Sequence, residues 1–334
     1  MSYSSSCPLL EVRELSTHFS IEGHSYPVVD RVNFEVHSGE TLAIVGESGC
    51  GKSLTALSIM RLLPSPPATH STGKLLYKGR NLLEISEREM RVIRGREIAM
   101  IFQDSSSALN PVYSIGEQLI EIAQWHLGLD EDQAYALSLQ TLTEVGVSHP
   151  RQRMNDYPHQ LSGGMRQRVA IALALICQPN LLIADEPTTA LDVTIQAQVL
   201  ALLKEVQKRH HMALILITHD WGVVAELADR VVVMYASNDV ESAGVTEIFD
   251  KPSHPYTKAL FQSLPTLEQK RGKLSSIPGH VPPLTDYPKG CRFHPRCPHR
   301  MEKCENGDVR EFILESEQHH TAKCWLHEGA KSSK

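Results

Sequence analysis

The sequence predicts an α/β fold in which a mostly parallel sheet is covered by helices. Three observations carry this: short apolar runs rich in β-branched residues recur through the first three quarters of the chain, amphipathic helical stretches stand between them, and one run ends in a glycine-rich turn that opens straight into a helical pattern. At 334 residues the chain has room for about two domains of roughly 150 residues each.

In chain order, Leu9 to Val12, Val28 to Val36 and Thr41 to Val45 read as strands, the last followed by the glycine-rich turn and the helical stretch Ser53 to Leu63. Leu181 to Asp185, Leu214 to Thr218 and Arg230 to Tyr235 read as buried strands. Thr194 to Lys208 reads as a helix with Val199, Leu202, Leu203 and Val206 on one face. From Lys251 onward proline recurs every few residues (KPSHPY, IPGHVPPL, DYPKG, HPRCPH), which argues against long helices and interior strands and places a boundary near Asp250. No internal repeat is visible.

Composition narrows the function. Lys plus Arg number 33 against 39 Asp plus Glu, a net charge of −6 with no long basic run, so a surface that wraps nucleic acid is not expected. The longest apolar stretch, Val169 to Cys177, is about half of the ~20 residues a membrane-spanning helix needs. The opening MSYSSSCPLLEVRELS lacks the basic and apolar regions of a secretory signal, so a cytosolic, reducing compartment and free thiols are expected.

Gly46-Glu47-Ser48-Gly49-Cys50-Gly51-Lys52-Ser53 fits the phosphate-loop pattern G-x-x-x-x-G-K-[ST] in its required setting, after a strand and before a helix. Glycines let successive N–H groups converge on a phosphate at the positive end of the helix dipole. Lys52 is expected to neutralise β/γ oxygens and Ser53 to ligate Mg²⁺, so the site takes a nucleoside triphosphate. Two acids follow the apolar run LLIA: Asp185 is expected to hold Mg²⁺ and Glu186 to act as base or orienting group for an attacking water.

Leu161-Ser162-Gly163-Gly164-Met165, opening a helix ahead of the LLIADE strand, resembles the LSGGQ signature of the ATP-binding cassette family, with Met165 where Gln is commonest. Other residues match that family in order: Gln103 in IFQD its Q-loop, Ala190-Leu191-Asp192 its D-loop, and His219 in LITHD its H-loop. Phe19 is a candidate for stacking on adenine. The resemblance implies a P-loop NTPase (RecA-like) core, an N-terminal antiparallel β subdomain, and a helical signature subdomain at about 104–165, all within residues 1–250. It also implies a head-to-tail pair of ATPases that sandwich two ATPs, Lys52 meeting each nucleotide from one subunit and Ser162, Gly163, Gly164 and Asp192 from the other. Gln103 and His219 take catalytic roles by the same resemblance, and Gln103 a place at the Mg²⁺.

SALNPVYSIGEQ (Ser107 to Gln118), HPYTKAL (His254 to Leu260) and IPGHVPPL (Ile277 to Leu284) resemble ATP-binding subunits of bacterial dipeptide and oligopeptide importers, and extend the likeness over nearly the whole chain. This implies a small Pro/Cys-rich C-terminal extension at 251–334, two transmembrane permease subunits, a second ATPase subunit, and an extracytoplasmic solute-binding protein as partners. It also implies a peripheral place on the cytoplasmic face of the inner membrane. The group also includes importers of nickel, metal chelates and glutathione, and a soluble non-transport cassette ATPase stays open. Two departures, QDSSSALNP and YASNDVESAG, are not expected to touch a phosphate-binding position.

Cys291, Cys297, Cys304 and Cys324 are spaced C-x5-C-x6-C-x19-C. Such gaps are wider than the usual zinc pairs and suit a [4Fe–4S] cluster, which the importer group carries in this region; zinc and unligated thiols stay open. His294 and His299 are expected to be bystanders. The extension has few apolar side chains, so a cluster is expected to hold it together, away from the ATP.

Overall fold

A computed structural model describes residues 7–104, 108–189, 191–264, 277–315 and 320–332 of the chain. Contacts divide it into two compact units, one of residues 1–10, 36–41 and 76–217, the other of residues 11–35, 42–75 and 218–334.

The second unit carries the amino-terminal antiparallel strands. β1 (Leu10–Ile21) and β2 (His24–Val36) are much longer than the apolar pattern predicts. Glu22 and Gly23 both have positive φ, 51° and 80°, the conformation that a two-residue hairpin turn needs to match strand twist. Pairing through that hairpin overrides the polar composition of residues 13–27. β4 (Thr72–Tyr77) lies on the other side of β1.

The same unit holds most of β3 (Thr41–Val45), which runs parallel to β9 (Arg230–Tyr235) with Leu42 opposite Arg230 and Val45 opposite Val233. Both strands are apolar and almost wholly buried, as a strand covered on both faces should be. β10 (Asn238–Gly244) returns antiparallel to β9. Beyond it the order continues through β12 (His320–Ala322), β11 (Phe312–Glu315) and β13 (Lys331–Ser332). β12 is therefore an interior strand, contrary to the expectation from proline. It lies downstream of the proline-rich stretch, since Pro298 is the last proline of the chain, and every ladder N–H is available there. Among the described residues the longest helix after Lys251 has eight residues, Pro255–Gln262.

Residues 277–297 do not depend on a ligand alone to stay in place. Phe293, Ile277, Val281 and Tyr287 pack on a core made by Trp221, Tyr235, Ile248 and Tyr256. Tyr235, Tyr256 and Phe293 lie with ring centroids 4.6 to 5.3 Å apart, contacts worth about 0.5–1.5 kcal/mol each beyond area burial. The expectation of too few apolar side chains fails because the partners come from outside the segment, from β9 and from the helices Trp221–Leu227, Val245–Asp250 and Pro255–Gln262.

In the first unit, β6 (Ile98–Ile101), β7 (Leu181–Asp185) and β8 (Ala213–Ile217) are parallel. Helices Ile115–Leu127, Glu131–Glu144 and Gly163–Leu175 pack on one another. Ser114 with Glu117, and Asp130 with Gln133, form capping boxes at the first two. Gly116 is required there: a Cβ would sit 2.7 Å from the Met154 carbonyl, which accepts the Gly116 N–H at 2.8 Å. Helix Val193–His210 buries Val199, Leu202, Leu203 and Val206 on one face, as its pattern predicts. Among the described residues no helix is long and apolar enough to cross a membrane.

Candidate functional site

Gly46 to Ser53 connect β3 to helix Lys52–Ile59. Gly46 has φ 152°, and a Cβ there would lie 2.2 Å from the Met234 carbonyl oxygen, so only glycine lets the loop leave the strand. At Gly51, φ 103°, a Cβ would lie 3.1 and 3.2 Å from Val28 and Ser237 backbone atoms. Lys52 is 5% exposed, and its ammonium donates to the carbonyls of Gly46 at 2.9 Å and Glu47 at 3.1 Å. Ser48 and Gly49 are exposed. Cys50 is buried, and burial pushes its thiol pKa up. Phe19 is half-buried on β1, bridged to Ala68.

The loop rests on the β9–β10 turn. Ser237 donates its N–H to the Cys50 carbonyl at 2.8 Å, so the turn that departs from the importer pattern does meet the phosphate loop. Ala236 and Ser237 both have positive φ, 45° and 69°, which costs about 1–2 kcal/mol per residue without glycine. Three bonds hold the turn: Arg292 donates to the Ala236 carbonyl, Ser237 hydrogen-bonds the Tyr287 hydroxyl at 2.8 Å, and Asp30 N–H donates to the Ser237 carbonyl. His219 is exposed in the same unit, next to Thr218, whose N–H donates to the Ile44 carbonyl.

In the first unit, Asp185 closes β7 and is 4% exposed. Glu186 follows in the left-handed region, φ 46°, its N–H on the Ile217 carbonyl, a strained backbone of the kind found at working sites. The Glu186 carboxylate accepts from Gln103 at 3.1 Å and from Thr189 at 2.8 Å. Two residues chosen independently in the sequence thus meet, together with Thr189, which the sequence pattern does not single out. Ser162 and Asp192 are exposed and cap the helices behind them, accepting from Met165 and Ile195 N–H groups. A Cβ on Gly164 would lie 3.0 Å from Ile195, so the two helix starts adjoin. Ala190 and Ser107 lie outside the described residues.

Residues 29–189 match the family described as ABC transporter, and residues 240–304 the family described as oligopeptide/dipeptide transporter, C-terminal region. A probable peptide ABC transporter ATP-binding protein of Sinorhizobium fredii is 51% identical over 95% of this chain and 94% of its own length. This chain belongs to the ABC transporter family. It is one of that family's ATP-hydrolysing subunits. The dipeptide transport ATP-binding protein of Bacillus subtilis is 49% identical over the same shares, 95% and 94%. A dimeric ATP-binding cassette solved with ADP and phosphate, 23% identical, covers 71% of this chain and 98% of its own, with a TM-score of 0.63. The fold is accordingly that of the ABC ATPase cassette, α/β with an antiparallel β subdomain.

In the second unit Cys291, Cys297, Cys304 and Cys324 border one small cavity, together with His254, His294, His299 and Trp325. All four thiols are free, and burial pushes Cys291 up to about 12 and Cys324 up to about 11, so both are neutral at pH 7. Among the described residues no three His, Cys, Asp or Glu side chains are arranged to hold a single metal ion. His254 accepts the Tyr256 N–H on Nδ1 at 3.0 Å, and burial pulls its pKa down to about 4, so the hydrogen of the neutral ring is on Nε2. That Nε2, and Trp325 Nε1, are buried without a hydrogen-bond partner among the described residues.

Proposed function

We propose that this chain hydrolyses ATP to drive the import of dipeptides or oligopeptides across a bacterial inner membrane. The observation that carries the substrate class is likeness over nearly full length to relatives named for peptide transport, including the C-terminal region that names the importer group. In this reading residues 1–250 are the nucleotide-binding domain, with residues 104–165 as its helical subdomain, and residues 251–334 are the importer-type extension. The chain sits on the cytoplasmic face with two permease subunits, a second ATPase subunit and a solute-binding protein outside.

Each residue has a task that its chemistry suits. Lys52 and the loop N–H groups hold the β- and γ-phosphates of MgATP, Ser53, Gln103 and Asp185 serve the Mg²⁺, and Phe19 stacks on adenine. Glu186 takes a proton from the attacking water while Gln103 and Thr189 aim its carboxylate, and His219 stabilises charge at the γ-phosphate. Ser162, Gly163, Gly164 and Asp192 serve the nucleotide of the second ATPase subunit, which suits two exposed helix N-termini.

We read the cysteine-lined cavity as the place for a [4Fe–4S] cluster, because the sequence gaps between its cysteines are wider than zinc pairs usually show, with zinc or unligated thiols as the alternatives. Two orphan N–H donors beside four thiols suit an acceptor-rich anionic group. Cys291, Cys297, Cys304 and Cys324 would hold it; bound, it supplies a one-electron redox centre.

Reconstitution with the permease subunits and binding protein tests the function. Peptide-loaded binding protein should stimulate ATP hydrolysis several-fold, while a nickel chelate or glutathione should not. Stimulation by either of those and not by peptides would overturn the substrate class.

A further inference from the structure

The phosphate loop carries an acid that phosphate chemistry does not ask for. Glu47 is its second residue, and a carboxylate there stands close to where a polyphosphate must bind. Residues remote in sequence deal with it. Arg296 donates two N–H groups to the two Glu47 carboxylate oxygens, at 2.7 and 3.0 Å, and the Arg296 side chain is only 6% exposed. Its Nε donates to the Pro278 carbonyl at 2.8 Å, and its guanidinium lies 5.7 and 5.9 Å from the ring centroids of Tyr235 and Phe293. The guanidinium is therefore fixed before it meets the acid, and the pairing is a forked one that lysine would not reproduce. The Glu47 backbone N–H is held separately, donating to the hydroxyl of Tyr256 at 2.8 Å. Tyr256 is fully buried, and burial raises its pKa, so the hydroxyl stays neutral.

We infer that Arg296 and Tyr256 are positioning residues for nucleotide binding, through which the C-terminal segment sets the shape and charge of the phosphate loop. The pairing cancels the one negative charge of the loop, which at a partly buried site would otherwise repel phosphate at short range. Holding the Glu47 N–H on Tyr256 fixes where the strand ends and leaves the later N–H groups of the loop to face phosphate. The Glu47 carbonyl also accepts from Lys52, so a shift of Glu47 would carry the ammonium with it. Arg296 precedes Cys297 directly, so the segment that carries the cysteines also holds a phosphate-loop residue.

The inference rests on ATP binding at this loop, and the experiment separates the two. Binding of a fluorescent ATP analogue to the full chain would be measured for the wild type, Arg296→Met, Tyr256→Phe, and the pair Arg296→Met with Glu47→Gln. Arg296→Met keeps the aliphatic stem but leaves the carboxylate uncompensated, and should weaken binding at least ten-fold. Tyr256→Phe should weaken it about three-fold. The double variant should recover to within about three-fold of wild type, since the repelling charge is gone. In the reconstituted transporter, Arg296→Met should raise KM for ATP while kcat at saturation stays within about two-fold. A role confined to packing of the C-terminal segment would not be rescued by a change at Glu47. Wild-type affinity in Arg296→Met, or a double variant as weak as the single one, would overturn the inference. A wild type that binds no ATP would instead overturn the assignment of the loop itself.

Discussion

The phosphate loop and the cysteine-lined cavity lie in the same unit, but they satisfy their polar groups in opposite ways. Around the loop the protein supplies partners: Lys52 rests on two carbonyls, Glu47 is held at both its side chain and its N–H, and Cys50 receives Ser237. Around the cavity, bordered by four cysteines, His254 Nε2 and Trp325 Nε1 have no hydrogen-bond partner among the described residues. The first is pre-shaped and needs only an anion to displace weak contacts from Lys52. The second is incomplete in its own chemistry, because an unpartnered buried donor costs about 1–3 kcal/mol.

The loop should break hardest. Lys52→Ala is expected to abolish ATP binding, and Gly46→Ala to abolish it as well, since its Cβ would meet the Met234 carbonyl at 2.2 Å. Equilibrium binding checks both; retention of nucleotide by Lys52→Ala would show that the loop is not the site. Glu186→Gln should bind ATP normally yet lose turnover by at least two orders of magnitude, and accumulate closed dimers on sizing columns. Ordinary hydrolysis by that variant would mean that the base is elsewhere. Gln103→Ala should cost less, roughly ten-fold in kcat, since Thr189 still holds the acid and Ser53 and Asp185 still serve the Mg²⁺ in the proposed reading.

A smaller and more selective effect is expected at the signature. Ser162→Arg should leave ATP affinity of the isolated chain within about two-fold while blocking dimer closure, if Ser162 serves the neighbouring nucleotide as proposed. Some loss of stability, about 1 kcal/mol, should accompany it, since Ser162 caps its helix. A monomer as poor in ATP binding as Lys52→Ala would place the signature at the chain's own nucleotide.

What could be read from the sequence follows the same contrast. Gly46, Lys52, Asp185 and Glu186 stand out in the sequence because each task proposed for them demands a residue type at a fixed offset from a strand end, and local order is enough to see it. Arg296 and Tyr256 do not stand out as partners of the loop, because Glu47 is 249 and 209 residues away, and the HPYTKAL segment that contains Tyr256 marks a family likeness without naming a partner. The β1–β2 hairpin was under-read since its strands are polar and the signal was the Glu22-Gly23 turn. Proline between Lys251 and Pro298 goes with short helices among the described residues there, the longest having eight residues, but it says nothing of residues 312–322, which contain none.

The cavity offers the mildest test and the sharpest view of the contrast. If its thiols and orphan donors surround a [4Fe–4S] cluster, anaerobically purified protein should be brown with close to four irons per chain. Cys297→Ser should remove the colour and the iron. ATP affinity should then change by less than about three-fold, even though Cys297 adjoins Arg296. The reason is that Arg296 is fixed by the Pro278 carbonyl and by the rings of Tyr235 and Phe293, contacts the protein makes without a cluster. Colourless anaerobic protein with one zinc per chain, or with no metal, would reject the cluster. Loss of ATP binding in Cys297→Ser as severe as in Arg296→Met would show instead that the hold on the loop depends on what the cavity contains.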